Sequence, residues 1–273
     1  MGVMRARPRL AEGVRVAGAE RITWVGHATV ALEIGGARLL TDPVLRARVA
    51  HLRRHGPRPD PHVLAGLDAV LVSHLHLDHL DVPSLRMLGR GVRVISPRGA
   101  GAVLRRAGFA RVTELGVGEA TQVAGATVTA VEAEHDGRRH PLGPVAETLG
   151  FEIEGAHRVY FAGDTDVFPG MEALAGRHDL ALLPIWGWGP TLGPGHMDPA
   201  AAARAVALLR PRVVVPIHWG TLFPAGLERV RGAMLVEPPR AFARMVAETA
   251  GGVEVRTLSP GESLDLDAAP IAR

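Results

Sequence analysis

Six consecutive residues carry most of the chemistry in this chain: His74-Leu-His76-Leu-Asp78-His79. They follow Ala69–Ser73, an apolar run of the length and composition of a buried strand. Side chains alternate along an extended segment, so His74 and His76 point the same way and two imidazoles can meet one cation. A turn at Leu77–His79 swings Asp78 and His79 toward a second point further along. Four ligand-type side chains in so short a stretch exceed what one open catalytic site needs, and they suit a pair of metals about 3.5–4 Å apart. Imidazole with carboxylate favours zinc, with manganese or iron as alternatives. Burying this many polar rings without partners would cost several kcal/mol. Downstream, Glu134-His135, Phe161-Ala-Gly-Asp164-Thr165 and Pro216-Ile-His218-Trp-Gly-Thr221 each place a ligand-type residue at the end of an apolar segment.

The elements that must position these residues alternate between short apolar runs and helical ones, punctuated by Gly and Pro. The patterning predicts strands at Ile22–Val25, Thr29–Ile34, Ala37–Thr41, Ala69–Ser73, Val92–Ser96, Val112–Leu115, Thr127–Glu134, Thr148–Ile153, Arg158–Ala162, Leu180–Pro184, Arg212–Ile217 and Val253–Thr257. Helices are expected at Pro83–Leu88, Gly99–Ala107, Met171–Ala175, Pro199–Leu209 and Arg240–Thr249. The Pro199 helix has the clearest signals: Asp198 as N-cap, Pro199 at the first helical position and Pro211 beyond the end. This mixed order argues for an α/β sandwich. Leu32–Asp42 echoes Phe151–Asp164, each reading as a Gly-containing hairpin that delivers an Asp at its far end. A duplicated half would give two sheets related by a pseudo-twofold axis, with the active residues where the halves meet. No Ser/Gly linker divides the chain, so 1–273 is expected to form one domain.

Composition narrows the function classes. Of 273 residues, 47% are hydrophobic, 33 are Gly, 21 are Pro and none is Cys, which excludes a disordered chain, a disulfide scaffold and a four-cysteine zinc site. No apolar run approaches the roughly 18 residues of a membrane span. The opening MGVMRARPRLAEGVRV lacks the apolar core of a secretory signal, so a cytoplasmic location is expected. All 31 basic residues are Arg, yet net charge is only +3, so no nucleic-acid partner is expected. Arg46, Arg48, Arg53 and Arg54, with His51 and His55, form a basic stretch that either grips a phosphate or is simply solvated. His62, His140, His157 and His178 are expected to be surface or structural residues.

His74-x-His76-x-Asp78-His79 after a buried strand, followed in order by His135, Asp164 and His218, resembles the metallo-β-lactamase superfamily of metallohydrolases. The likeness runs from about Ile22 to Phe223. It implies a four-layer αββα sandwich with two mixed sheets. It also implies that His74, His76 and His135 hold one metal, that Asp78, His79 and His218 hold the second, and that Asp164 bridges them. A hydroxide between the metals would then be the nucleophile. Trp24-Val-Gly-His27-Ala-Thr29, Thr41-Asp42-Pro43 and His218-Trp219-Gly220-Thr221 are similar to the branch containing N-acyl-phosphatidylethanolamine phospholipase D and ascorbate-6-phosphate lactonase. Gly195-His196-Met-Asp198-Pro199 is similar to the phospholipase D-like side.

By this likeness Asp42 orients a metal histidine and His27 does the same or serves as a bonded core histidine. Asp78 and His196 are the catalytic candidates, His196 for substrate contact or leaving-group protonation. Trp186, Trp188, Trp219 and Phe223, around a loop at 186–195, are candidates for an apolar substrate wall. The chain lacks the long N-terminal extension of the membrane-acting phospholipase D and a basic amphipathic helix, so no stable membrane association is expected. The expectation is therefore a binuclear hydrolase acting on a phosphodiester or lactone of a small molecule, as a monomer or a homo-oligomer. Its rivals are a mononuclear iron oxygenase on the same scaffold, which would not need Asp78 and His218 as ligands, and a metal-binding protein without turnover.

Overall fold

The computed structural model describes residues 18–189 and 191–267. Pro190, in the expected loop, and the segments 1–17 and 268–273 lie outside the described residues.

The first half of the chain contributes β1 (Arg21–Gly26), β2 (Thr29–Ile34), β3 (Ala37–Thr41), a short hairpin of β4 (Arg48–Val49) and β5 (Leu52–Arg54), then β6 (Ala69–Leu71), helix α1 (Val82–Met87), β7 (Arg93–Pro97), α2 (Gly101–Arg106) and β8 (Val112–Leu115). The second half contributes β9 (Ala120–Val123), β10 (Ala126–Glu132), β11 (Leu149–Glu154), β12 (Arg158–Phe161), β13 (Leu180–Pro184), α3 (Pro199–Leu209), β14 (Val213–Ile217), β15 (Leu222–Pro224), α4 (Glu228–Arg231), α5 (Glu237–Thr249), β16 (Glu254–Val255) and β17 (Ser263–Asp265). One seven-stranded sheet runs β17-β1-β2-β3-β6-β7-β8, and a second runs β16-β14-β13-β12-β11-β10-β9.

The two sheets repeat one plan. In the first, β1, β2 and β3 pair antiparallel, and β3, β6, β7 and β8 continue in parallel. In the second, β10, β11 and β12 pair antiparallel, and β12, β13, β14 and β16 continue in parallel. The echoed hairpins β2–β3 and β11–β12 hold equivalent places in this plan. Their turns meet on one buried carboxylate: Glu20 accepts hydrogen bonds from Gly35 N at 2.7 Å, Ala156 N at 2.8 Å and His157 N at 2.8 Å.

Alternating apolar residues explain the layering. One face of each sheet meets the other in a core that includes Trp24, Leu32 and Ile95 from one side and Val128, Phe151, Phe161 and Val215 from the other. The outer face of the first sheet is covered by α1 and α2 through Leu85 and Leu104, and that of the second by α3 and α5 through Val206, Phe242 and Val246. This is the four-layer αββα sandwich with mixed sheets.

Most predicted strands appear within a residue or two of their expected limits. Several elements differ. Val253–Thr257 shortens to the two residues of β16, and Met171–Ala175 lies in a 3₁₀ helix at Pro169–Leu174. Helix α5 begins earlier than Arg240, at Glu237, because Pro238 and Pro239 are tolerated in a first turn. Strands β4, β5, β9 and β17 carry no apolar run and β15 only the short Leu222-Phe223-Pro224, and each exists because a neighbouring strand supplies its hydrogen bonds. Strands β15, β5 and β4 form a small third sheet.

Candidate metal centre

Reversing direction twice restores it, so β1 runs with β3 and β6, and β10 runs with β12, β13 and β14. The segments that follow β1, β3, β6, β10, β12 and β14 at their C-terminal ends carry His27, Asp42, His74–His79, His135, Asp164 and His218 respectively. Three of these residues occupy the left-handed backbone region: His27 at φ 55°, Asp42 at φ 31° and His218 at φ 63°. A non-glycine residue is uncommon there, and the strain is concentrated where the chain must turn sharply to aim a polar side chain back over the strand ends. The loops after β1 and β14 lock together, with His218 N donating to His27 O at 3.0 Å.

Two groups of ligand atoms result. In the first, His74 Nε2 lies 2.9 Å from His76 Nδ1, which is 3.0 Å from His135 Nε2. In the second, His79 Nε2 and His218 Nε2 are 3.1 Å apart, and each is 3.8 Å from Asp78 Oδ2. Asp164 stands beside both groups. Its carboxylate is 3.1 Å from His79 Nε2 and 3.3 Å from His218 Nε2, and it clusters with His135 and His196.

The far side of each ring decides which nitrogen carries a proton. His79 Nδ1 faces the Asp42 carboxylate at 2.7 Å, His135 Nδ1 faces Gly195 O at 2.7 Å and His218 Nδ1 faces Trp186 O at 2.9 Å. These oxygens only accept, so each Nδ1 is the donor and each Nε2 presents a lone pair inward. Ser73 Oγ donates to Asp42 and therefore accepts from His74 Nδ1, which leaves the His74 Nε2 lone pair inward too. Lone pairs facing one another at about 3 Å repel unless a cation lies between them. Asp164 Oδ1 is buried with no hydrogen-bond partner, a costly state for a carboxylate oxygen unless a cation meets it. This donor set fits divalent metal ions, with His74, His76 and His135 able to hold one and Asp78, His79 and His218 a second.

Electrostatics agree with that fit. Burial pushes His218 down to about 3 and His135 down to about 4, and holds His74 well below the usual histidine value, so these rings stay neutral and ligating at neutral pH. Burial also opposes charge on His79, but Asp164, Asp42 and Asp78 outweigh it and hold His79 well above the usual value, so without a cation this one ring favours a proton on Nε2 as well; a metal ion there would take that proton's place and restore the inward lone pair. Burial alone would raise Asp78 and Asp164, yet the surrounding histidines keep both well below the ordinary carboxylate range.

The remaining expected residues fall into different places. His27 is wholly buried, donates from Nε2 to Asp78 Oδ2 at 3.0 Å and packs, tilted, against the His218 ring with centroids 3.8 Å apart. Asp42 accepts from Ser73 N at 2.7 Å, Ser73 Oγ at 2.6 Å and His79, which joins both halves of the motif through one carboxylate. His196 lies at the mouth, its Nε2 3.5 Å from Asp164 Oδ2. A cleft of about 240 Å³ opens over the metal groups, lined by His76, Asp78, Asp164, His196, Trp188 and Leu52 among others.

The expected aromatic wall is smaller than four residues. Among the described lining residues only Trp188 contributes, packed on Val44, Val49, Leu52 and Leu222 with its ring edge-on to His51. Trp186 supplies its carbonyl to His218, and its own Nε1 donates to Gly189 O at 3.2 Å. Trp219 stacks on Trp24 with ring centroids 5.0 Å apart, against the core between the sheets, and Phe223 is buried on β15. Both have gone to packing because the fold offers these large rings more burial inside than at the cleft.

Sequence patterning missed the rest of this wall, which the β4–β5 hairpin builds with Val49, His51 and Leu52 against Trp188. It also missed Arg139, whose Nη1 donates to Leu75 O at 2.8 Å and Leu80 O at 3.2 Å, bracing the metal-binding turn from beside the cleft. Neither has a local signal, since each acts through contacts far apart in the chain. Ser73 adjoins the motif and was the one legible omission. Of the histidines set aside, His178 is buried against Glu152 at 2.7 Å and His157 bonds Glu20 at 2.9 Å.

Residues 37–219 match the family described as the beta-lactamase superfamily domain. A protein of Mycobacterium tuberculosis is 37% identical over 217 residues, covering 73% of this chain, and this chain spans 58% of its length. The UPF0173 metal-dependent hydrolase of Aeropyrum pernix is 32% identical over 267 residues, covering 90% of this chain and 98% of its own. Among solved structures, Igni18, a metallo hydrolase from Ignicoccus hospitalis, superposes with a TM-score of 0.67 at 25% identity, over 90% of this chain and 98% of that one.

Proposed function

This chain belongs to the beta-lactamase superfamily and has the fold of its metal-dependent hydrolases, and from that premise we propose that it is a binuclear hydrolase cleaving a phosphodiester or lactone bond in a small molecule. The observation that carries the binuclear reading is the second ligand group. Asp78, His79 and His218 are gathered as completely as His74, His76 and His135, and Asp164 stands between them with an unpartnered oxygen. A mononuclear iron oxygenase would need only one such group.

When bound, two cations supply an acidified water as nucleophile and a Lewis acid for the substrate oxygen. The protein does the rest. Asp42, Gly195 O and Trp186 O hold three imidazoles in the ligating tautomer. His27 orients Asp78 by donating to its Oδ2. His196 Nδ1 faces the carbonyls of Gly193 and Pro194, both at 3.2 Å, so its Nε2 is the atom free to take up and return a proton at the cleft. That position suits protonation of an alkoxide leaving group. Trp188, Val49 and Leu52 give the cleft an apolar side for the organic part of the substrate. The same reading places the enzyme in the cytoplasm and draws zinc first, then manganese or iron, as the resident metals.

The test is metal content per chain on protein purified without chelator, together with hydrolysis of bis(p-nitrophenyl) phosphate and of a lactone panel. Two metals per chain with either activity supports the proposal. One iron per chain with oxygen uptake would replace it with the oxygenase.

A further inference from the structure

We propose that the arginine-lined cavity behind the β4–β5 hairpin binds an organic phosphate carrying an apolar body, at a site separate from the metal centre. The cavity measures about 1000 Å³, and Arg46, Arg48, Arg53, Arg54 and Arg58 line it, while no Asp or Glu does among the described lining residues. Its remaining wall is largely apolar and includes Leu64, Met87 and Leu88. It shares no lining residue with the metal cleft, although the hairpin separates the two.

Three observations point to an anion here. First, Arg48 and Arg53 sit directly opposite one another across the β4–β5 ladder. Like charges in that position repel, and a bound anion relieves the repulsion. Second, Arg54 is nine-tenths buried and has no carboxylate partner among the described residues. Its guanidinium meets only backbone oxygens, Val25 O at 3.2 Å and Val44 O, and its Nε has no acceptor. Burying an unneutralised cation is costly, and that cost falls when an anion occupies the neighbouring space. Third, among the described residues the carboxylates that interact with these arginines lie at the margins. Asp81 takes Arg46 in a bidentate pair at 2.8 and 2.7 Å, and Glu228, partly exposed, feels the charge of Arg53. Arg48, Arg53, Arg54 and Arg58 remain to meet the ligand. Planar guanidinium groups match phosphate oxygens in pairs, and the apolar wall accommodates a body that a bare inorganic anion lacks.

The experiment measures binding of octyl phosphate and of inorganic phosphate to the metal-loaded protein by calorimetry, at submicellar concentration and two salt concentrations. Octyl phosphate should bind more tightly than inorganic phosphate, and added salt should weaken it. The double variant Arg48→Ala/Arg53→Ala should lose affinity by about tenfold or more, with unchanged metal content and unchanged bis(p-nitrophenyl) phosphate hydrolysis. Arg58→Ala, on an exposed loop residue, provides a second variant that should lose affinity even if the hairpin variant fails to fold. Affinity that survives these substitutions but disappears in Asp164→Ala would place the phosphate on the metal centre and overturn the proposal. Equal affinity for octyl and inorganic phosphate, or no binding by the parent protein, would overturn it as well.

Discussion

Replacing Asp42 with Asn separates the two metal positions by a single atom change. The Asp42 carboxylate is wholly buried and accepts from Ser73 N, Ser73 Oγ and His79 Nδ1 at 2.6–2.7 Å. Asn tolerates the left-handed backbone at this position, φ 31°, so the substitution leaves the turn after β3 in place. Its amide oxygen can still accept from Ser73 N, but its NH₂ then faces the proton on His79 Nδ1. Two donors cannot satisfy one another. The imidazole relieves the conflict by moving its proton to Nε2, the atom that shares the second ligand group with His218 Nε2 at 3.1 Å. Losing one hydrogen bond to a charged acceptor costs about 1.5–3 kcal/mol, or about 10–150-fold in affinity. Orienting partners of metal histidines are typically worth about 10–100-fold. Ser73 Oγ bonds the same Oδ2 as His79, so the new NH₂ donates to that hydroxyl, whose second lone pair can still accept from His74 Nδ1, and His135 is held independently by Gly195 O. Metal per chain, measured by mass spectrometry during dialysis against graded chelator, should fall from two to one in Asp42→Asn at concentrations that leave the parent protein at two. A variant that keeps both metals to the same chelator concentration, or loses both together, would refute the tautomer argument.

Asp164→Ala should bind less metal at both positions and lose most activity, since its carboxylate adjoins both groups; an active variant retaining two metals by elemental analysis would remove Asp164 from the centre. His196→Ala should keep its metals while turnover on a substrate with a poor leaving group drops about 10²–10⁴-fold, less on an activated aryl ester; equal effects on both substrates would deny it a proton-transfer role. In metal-free protein, His218 and His135 have folded values of about 3 and about 4, below the ordinary 6.5, so the unfolded chain takes up their protons first. Their neutral rings favour folding fully above pH 6.5, and that contribution is lost as pH falls toward 4 and 3. His79, held above its ordinary value, contributes in the opposite sense, present below pH 6.5 and lost as pH rises through its folded value. More rings are lowered than raised, so the urea midpoint should fall between pH 6.5 and pH 4; a flat midpoint across that range would contradict the burial assigned to these rings.

The first motif of the centre was legible because its signals are local. A histidine pair two apart on an extended segment can be read from spacing, whereas His135, Asp164 and His218 each look like ordinary loop residues until their order behind that pair and the family resemblance single them out, and Asp198 with Pro199 marks the start of α3 to the residue. Alternation of apolar residues, together with the echoed hairpins, likewise carried the two-sheet plan, since burial of one face per strand leaves few other arrangements. What tertiary structure decided was everything that depends on distant partners. Strands β4, β5 and β15 are too short to be read from apolar pattern and form because they find one another, and the β4–β5 hairpin so placed builds a cleft wall that no window of sequence contains. Trp219 and Phe223 read equally well as substrate contacts or as core, and the available burial settled them as core. The tautomer of each ligating ring is set by Asp42, Gly195 O and Trp186 O, which reach His79, His135 and His218 across 37, 60 and 32 residues of chain. The physical reason is the same throughout. Ligand type and strand period are properties of neighbouring residues, whereas proton position, burial and charge balance are properties of whatever the fold brings alongside.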